Sequence, residues 1–342
     1  MAEACPEIGL SSASLANKMK VLVTGCAGFI GWKVSKDLLA DCHAVVGVDN
    51  LNDAYDTRLK QWRLDELKGK PRFEFFKLDI CDREAVGRLA SLAYPFDAII
   101  NLAARAGVRQ SVENPWVYFD TNVTGTLNLL ELCKEFKVSK FILASTSSVY
   151  GAGNSLPFCE DANTNGPVSP YAASKKAAEA LCYTYHYLYG CDISVLRYFT
   201  VYGPAGRPDM SPFRFVQWIS EGQPVIVYGD GKQSRDFTYV GDIARGTIAA
   251  LKPVGYEVIN LGSDQPVGLK DVIRLIERLV DREARVEFKP RHAADVTSTW
   301  ADIGKAERLL RWHPEIGFEQ GFGELVSWYR ENRTWAKDVK TG

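Results

Sequence analysis

Apolar residues recur along this chain with two alternating periods. Short apolar runs at 21–24, 44–48, 73–77, 96–101, 140–144 and 192–198 have the length and composition of buried strands. Between them the period changes. Ile30, Val34 and Leu38 recur at helical spacing, and the stretches 54–67, 83–91 and 122–136, with one around Tyr171, continue as helices. Strand and helix in strict alternation predict an α/β fold built on a doubly wound parallel sheet. Ligands of such sheets sit beyond the carboxyl ends of the strands. Asp49, Asp79, Asn101 and the run 145–151 all fall at such ends.

After residue 198 the regular alternation stops. The segment 200–204, Thr-Val-Tyr-Gly-Pro, breaks it, and the later signals are shorter: a helix at 213–220, a strand at 225–228 and a helix at 269–280. This predicts a smaller C-terminal α/β lobe interleaved with the last part of the sheet. The expected organisation is a disordered tail over 1–19, a nucleotide-binding domain over 20–198, a mainly substrate-binding lobe over 199–332 and a tail over 333–342. Met19, directly before the first strand, is the expected start of the folded domain.

Composition narrows the classes of function. Lys plus Arg is 41 and Asp plus Glu 42, a net charge of -1. That balance gives no reason to expect a nucleic acid or an acidic membrane as partner. No apolar run approaches the ~18 residues of a membrane span, and the first 18 residues lack a signal-peptide layout. The eight cysteines form no C-x-x-C pair and do not cluster with the four histidines. No metal site and no disulfide framework is expected, and the cysteine usage fits a reducing, cytoplasmic compartment.

Four stretches carry candidate chemistry. Gly25-Cys26-Ala27-Gly28-Phe29-Ile30-Gly31 links the first strand to the first helix. Glycines there let the backbone approach a pyrophosphate, and the helix N-terminus offers N–H groups and a favourable dipole. The same spacing also fits a tight turn. Asp49 ends the next strand, 18 residues after Gly31. An acid there binds a ribose 2′-hydroxyl and repels a 2′-phosphate, and no Arg follows until Arg58, so NAD is expected over NADP. Ser145-Thr146-Ser147-Ser148 places four consecutive hydroxyls at a strand end, which reads as a cleft lining or as a polar loop. Tyr171 and Lys175 lie one helical turn apart. A tyrosine, with a pKa of about 10, needs a neighbouring cation to act as a base at neutral pH. Alone, the pair also fits an exposed helix.

Taken together, these stretches resemble the extended short-chain dehydrogenases/reductases. The glycine loop, Ser-Thr-Ser-Ser-Val-Tyr-Gly, Tyr171-x-x-x-Lys175, Arg197-Tyr198-Phe199-Thr200-Val201-Tyr202-Gly203-Pro204 and Arg235-Asp236-Phe237-Thr238-Tyr239-Val240 carry the resemblance over roughly residues 20–332. Ala104-Arg105-Ala106-Gly107-Val108-Arg109 and the run from Gly203 to Met210 resemble the UDP-glucuronate branch of the nucleotide-sugar 4-epimerases. The resemblance implies a Rossmann-like sheet and a tightly bound NAD regenerated at each turnover. It implies Tyr171 as base, Lys175 as its electrostatic partner and ribose ligand, and Thr146 as the hydroxyl bridging base and sugar. NAD would meet Gly25, Gly28, Phe29, Ile30, Gly31, Asp49, Asn50, Asp79, Ile80, Leu102, Ala103, Ala104, Asn122 and Tyr198 besides the catalytic pair. The UDP-sugar would meet Arg109, Ser147, Ser148, Arg207, Tyr228 against uracil, Arg235 at the diphosphate, and Asp295. Two departures stand out: Arg105, where many relatives carry Gln, and His292-Ala293-Ala294-Asp295-Val296, which usually reads Gly-Asp-Val.

The resemblance also sorts the reactions. Members remove hydride from C4 of the sugar and differ in the fate of the keto intermediate. Dehydratases carry Asp-Glu where Ser147 and Ser148 stand, and decarboxylases carry Glu at Ser148. Rotation of the keto sugar and hydride return, which is epimerisation, remains. A 4-keto uronic acid is a β-keto acid prone to lose carbon dioxide, so an epimerase must restrain the carboxylate. Ser147, Ser148 and Thr200 are the expected restraint, and simple UDP-galactose 4-epimerases carry Asn at Thr200. UDP-glucose epimerisation, uronate decarboxylation and a non-catalytic NAD-binding regulator are the alternatives, the last arguing against itself because Tyr171 and Lys175 are both present. A homodimer through the helices near 122–136 and 171–189 is expected, on the apolar residues Val123, Leu127, Leu129, Leu130 and Leu132.

Overall fold

The computed structural model describes residues 18–291 and 294–341. The tail expected at 1–19 lies almost wholly outside the described residues, as does His292. The strands are β1 (Lys20–Thr24), β2 (Ala44–Asp49), β3 (Phe73–Lys77), β4 (Ala98–Asn101), β5 (Lys140–Thr146), β6 (Asp192–Tyr198), β7 (Thr200–Tyr202), β8 (Val225–Tyr228), β9 (Ser234–Tyr239), β10 (Tyr256–Leu261), β11 (Pro266–Gly268) and β12 (Val286–Lys289). Seven of them form one sheet in the order β10-β6-β5-β4-β1-β2-β3, every pair parallel. This is the doubly wound, Rossmann-like arrangement expected from the alternation. The chain starts in the middle, at β1, runs outward to β3, then crosses back to β4 and continues to the other edge.

Burial explains why these strands are continuously apolar. Val21, Leu22 and Val23 are all fully buried. Val21 and Val23 join one core cluster and Leu22 the other, so side chains alternate into two separate cores above and below the sheet. Helices Phe29–Ala40 and Val240–Ala249 contribute to the first core, and helices Arg83–Ala93, Gly125–Glu135 and Pro170–Tyr189 to the second.

Differences from the sequence reading lie mainly in the second lobe. The segment read as a break contains β7, which pairs with β9 in a three-stranded sheet completed by β11. β8 and β12 form a separate parallel pair. β10 returns to the large sheet, pairing with β6 from Tyr256↔Ile193 to Leu261↔Tyr198. Helices Val240–Ala249, Gly304–Leu310 and Phe318–Glu331 also went unread. Residues near the end pack back on the lobe: Gln217 donates from Nε2 to the carbonyls of Ala336 at 3.0 Å and Val339 at 2.8 Å.

The helix Pro170–Tyr189 is set by local rules at both ends. Ser169 caps it, accepting from Ala172 N–H at 3.2 Å, and Pro170 occupies the first turn. Gly190 closes it in the left-handed region at φ 67°. Glu179, two turns after Tyr171, is salt-bridged to Arg197 of β6 at 2.9 Å with both side chains 3% exposed. Ser145 of β5 donates to the same carboxylate at 2.6 Å. Burial pushes the Glu179 carboxyl up, but the Arg197 guanidinium and Ser145 outweigh it and hold it below the usual range. Glu179→Ala would leave Arg197 buried and unpaired. Its unfolding free energy should fall by about 3–5 kcal/mol, read from the urea midpoint. The Glu179→Met/Arg197→Met double variant should recover most of that loss.

Candidate functional site

The strand ends are tied together before any ligand is considered. Thr24 Oγ1 donates to Asn101 Oδ1 at 2.8 Å, and Asn101 Nδ2 donates to Thr126 Oγ1 at 3.0 Å. These bonds draw the loops after β1 and β4 into contact. Gly25 then passes so close that a Cβ on it would lie 2.8 Å from the Ala103 nitrogen, and its φ of +69° is itself left-handed. A Cβ on Gly31 would run into the Gly25 carbonyl. The result is a bare-backbone cradle opening onto the N-terminus of helix Phe29–Ala40.

At the end of β2, Asp49 is held through both oxygens. Oδ2 accepts from Ala27 N–H at 3.2 Å, and Oδ1 accepts from Leu51 N–H at 2.8 Å. Asp79, following β3, accepts from Asn50 Nδ2 at 2.8 Å and from Cys81 N–H at 2.9 Å. Burial alone would raise its pKa, but these bonds hold it below the ordinary carboxylate range. Asp79 is therefore prepared as a charged acceptor.

Two strands away from β1, on β5, the chain turns at Thr146 into a single tight helical turn, Ser147–Tyr150. Thr146 Oγ1 caps that turn, accepting from Ser148 N–H at 3.1 Å, and donates to Ser148 Oγ at 3.2 Å. Tyr171 faces this turn. Burial pushes its phenol pKa up, while the Thr146 hydroxyl and the positive Arg207 pull it back. Lys175 does not bond to Tyr171: its Nζ donates to the Ala144 carbonyl at 2.7 Å. Burial lowers Lys175 to about 8, still charged for the most part at pH 7. Arg207 is fixed by Asp209, with Nε to Oδ1 at 3.0 Å, and by the Ala106 carbonyl at 3.1 Å.

One cavity of about 320 Å³ joins these parts. Gly25, Gly28, Phe29, Ile30, Gly31, Asp49, Asn50, Asp79, Ile80, Leu102, Ala103 and Ala104 line one end, and Thr146, Ser147, Ser148, Tyr171, Lys175, Tyr198, Thr200 and Arg207 the other. The expected residues that fall outside its walls have identifiable other contacts. The Asn122 amide is used within the fold, accepting from Arg105 N–H at 2.9 Å and donating to Ser174 Oγ at 2.9 Å. The Tyr198 hydroxyl, despite the ring lining the cavity, bonds to Thr247 Oγ1 at 2.8 Å. Arg109, Tyr228 and Asp295 meet one another beyond Val108: Arg109 pairs with Asp295 at 2.6 Å and covers the Tyr228 ring at 3.8 Å. Arg235 donates to the carbonyls of Ser234 at 2.8 Å and Val296 at 2.8 Å.

Helix Thr57–Asp65 carries two buried cations that escaped the sequence reading, Lys60 and Arg63. Arg63 is fully buried without a carboxylate. Its guanidinium donates to the carbonyls of Ala27 at 3.2 Å, Ala205 at 2.6 Å and Gly206 at 3.1 Å, and to Tyr55 Oη at 2.8 Å. It thereby fastens the glycine loop to the loop that carries Arg207. A charged residue on a strongly polar helix gives no sequence signal of burial, and only the approach of residue 205 reveals it.

These features define a class: a dinucleotide-binding α/β enzyme with a Tyr-x-x-x-Lys pair facing a glycine cradle. A cradle that Cβ atoms would fill, a strand-end acid, and a cavity continuous to Tyr171 fit an extended dinucleotide. The model of a family described as GDP-mannose 4,6 dehydratase matches residues 22–325, and the chain belongs to this family of extended short-chain dehydrogenases/reductases. A UDP-glucuronate 4-epimerase of Thermodesulfobacterium geofontis is 59% identical over 320 residues, covering 93% of this chain and 98% of that one. The crystal structure of a Bacillus cereus UDP-glucuronic acid 4-epimerase with UDP-glucuronic acid and NAD matches with a TM-score of 0.86 and 38% identity, covering 92% of this chain and all of that one. A Thermus thermophilus UDP-glucose 4-epimerase in complex with NAD matches at 0.81 and 32% identity, covering 91% and 99%.

The depressed Lys175 value makes a pH prediction. The folded protein releases this proton near 8 and the unfolded chain near 10.5. Burying the charge is therefore a full cost below pH 8 and none above 10.5. Wild type without added cofactor should gain stability relative to Lys175→Met as pH rises through that window, by on the order of 3 kcal/mol. Urea midpoints of the two proteins at pH 7, 9 and 10.5 check this.

Proposed function

We propose that this protein interconverts UDP-glucuronate and UDP-galacturonate by NAD-dependent epimerisation at C4. The observation that carries the proposal is the composition of the cavity around Tyr171. Thr146, Ser147, Ser148 and Thr200 converge there, and the carboxylates among the described lining residues, Asp49 and Asp79, stand at the other end. β4 and β1 separate β5 from β2, and β3 lies one strand further out; with strands about 4.8 Å apart, Asp49 stands ~14 Å and Asp79 ~19 Å from Thr146 across the sheet. The family model bears a dehydratase's name, but an acid–base carboxylate for elimination is not supplied at the Tyr171 end.

The residues then divide the work. The cradle of Gly25, Gly28 and Gly31 receives the pyrophosphate, and Asp49 accepts from the adenosine ribose. NAD, when bound, supplies a hydride acceptor and donor at the sugar C4. Tyr171 takes the C4 hydroxyl proton and returns it. Arg207 and Lys175, both cationic at pH 7, lower the cost of the phenolate, and Thr146 bridges the phenol and the sugar oxygen. Ser147, Ser148 and Thr200 hold the C6 carboxylate out of alignment with the C4 carbonyl, which suppresses loss of carbon dioxide. Arg109, Tyr228, Arg235 and Asp295 lie beyond the cavity at Val108, where the uridine diphosphate would extend, and Arg109 must leave the Tyr228 ring for uracil to stack there.

Product analysis tests the reading. Wild type given UDP-glucuronate should release the epimer, identified by NMR, and Tyr171→Phe should lose at least ~10²-fold in turnover. Each hydroxyl bond to a charged group contributes on the order of 1.5–3 kcal/mol, so Thr200→Ala, or Ser147→Ala with Ser148→Ala, should raise the pentose fraction roughly tenfold. Mutants that slow epimerisation with no pentose by mass spectrometry would overturn the carboxylate role.

We also infer a cytoplasmic homodimer. The cysteines among the described residues are free thiols, and no described helix is long and apolar enough to cross a membrane. Leu129, Leu130 and Leu132 are buried in the chain's own core, so they no longer support the dimer. Exposed aromatics replace them: Trp116 at 78%, Tyr187 at 76% and Tyr183 at 55%, beside Phe119 and Leu127. Burying aromatic side chains of that size is a strong drive to associate. Light scattering should give twice the chain mass for wild type and the chain mass for Trp116→Asp/Tyr187→Asp.

A further inference from the structure

The acid at the end of β2 has a partner that the chain order conceals. Lys60 lies 11 residues after Asp49, and helix Thr57–Asp65 brings it back beside that acid. Its Nζ is 3.5 Å from Asp49 Oδ1, with the two side chains 8% and 5% exposed. The ammonium also donates to Asn52 Oδ1 at 3.1 Å and lies 5.4 Å from the Tyr55 ring centre. Lys60 and Asp49 both line the cavity. Arg58, the nearer basic residue in sequence, forks onto Asp56 through Nε at 2.9 Å and an NH₂ group at 2.6 Å, and faces away.

The two members of the pair differ in freedom. Asp49 is fixed through both oxygens by the N–H groups of Ala27 and Leu51. Lys60 ends a flexible four-carbon stem and carries three donors. The other cations among the described lining residues are Lys175 and Arg207, at the Tyr171 end. Lys60 is thus the charge available to an anion arriving where the adenosine ribose would lie. We propose that Lys60 is a specificity-determining residue for the cofactor: Asp49 occupies it and repels a 2′-phosphate, and removal of the Asp49 charge frees Lys60 to accept that phosphate. NAD selectivity then resides in the pair, and the acid alone accounts for only part of it. The inference rests on the assignment of this cavity to NAD.

A phosphate carries close to two negative charges at neutral pH. Beside an ionised Asp49 it meets repulsion that one ammonium, already shared with Asn52, does not cancel. With Asn at 49, the same ammonium is buried without a counter-ion, an unfavourable state that a phosphate would relieve. Asparagine keeps a side-chain oxygen for one of the two backbone donors, so the loop retains part of its anchor.

The test is competitive binding to the full chain. Wild type, Asp49→Asn, Lys60→Met and the double variant are equilibrated with equimolar NAD and NADP and desalted. The nucleotides released by acid are then quantified by chromatography. Wild type should hold NAD. Asp49→Asn should raise the NADP:NAD ratio at least tenfold, and Asp49→Asn/Lys60→Met should lose most of that rise. A double variant that keeps the rise, or an Asp49→Asn protein that shows none, overturns the role of Lys60. Should Asp49→Asn fail to fold by circular dichroism, Lys60→Met carries the test: about fivefold more NADP should be needed to displace its NAD than in wild type, and an unchanged requirement overturns the proposal. Wild type that retains neither nucleotide would instead remove the cofactor assignment on which the proposal stands.

Discussion

The buried pair of Glu179 and Arg197 is the interaction on which the reacting end of the molecule depends. Glu179 lies one turn beyond Lys175 and two beyond Tyr171 on the same helix face. Its carboxylate is anchored to β6 through Arg197 and to β5 through Ser145. Arg197 reaches further, donating to Tyr150 Oη at 3.1 Å and the Glu160 carbonyl at 3.1 Å, and Tyr150 donates to Asn260 Oδ1 at 2.7 Å. Helix, two central strands and the returning β10 are therefore locked in one register. Such a pair contributes little net stability compared with an apolar replacement. What it does supply is a defined height of Tyr171 over Thr146, and proton transfer requires a donor–acceptor separation near 3 Å.

A second lock joins the other end of the cavity to the first. Arg63 holds Ala27 of the cradle and Ala205 of the loop before Arg207 with one guanidinium. A planar group with five donors in a fixed fork can satisfy several carbonyls at once, which a lysine cannot do. The glycine cradle and the Arg207 loop are thereby parts of one wall. The position of Arg207, which lowers the cost of ionising Tyr171, is set by the position of the glycine loop. Binding of a dinucleotide in the cradle would act on the same wall.

The chemistry of the cavity is decided by which groups are placed there and which are not. Hydroxyls at Thr146, Ser147, Ser148 and Thr200 can hold an anionic sugar carboxylate without supplying a proton for elimination. A carboxylate in the same place would offer acid–base catalysis to a 4-keto sugar. On the proposed reading, exchange of a few side chains on an unchanged scaffold would separate reactions that share one first step, within a family model named for a dehydratase that also matches an epimerase's relative.

The sequence by itself determined the nucleotide-binding half. Strand β1, the glycine loop, helix Phe29–Ala40 and the Tyr171 helix are read from local periods and caps, because each buries its own apolar residues or bonds its own backbone ends. Thr146 and Asp49 could be chosen because strand ends in a doubly wound sheet converge on one edge, and Tyr171 and Lys175 because they lie one turn apart on a helix. Tertiary structure alone decided the rest. β7 and β11 have three residues each, and the partners that make β7, β9, β10 and β11 strands come from distant segments. The Asn122 amide is bonded between Arg105 and Ser174, a contact that depends on a helix packing 52 residues away. Lys60 and Arg63 are polar residues on a polar helix, and their burial depends on the approach of Asp49, Ala27 and Ala205. A charge is buried only where other segments supply its partners, and that supply is a property of the folded chain rather than of its local pattern.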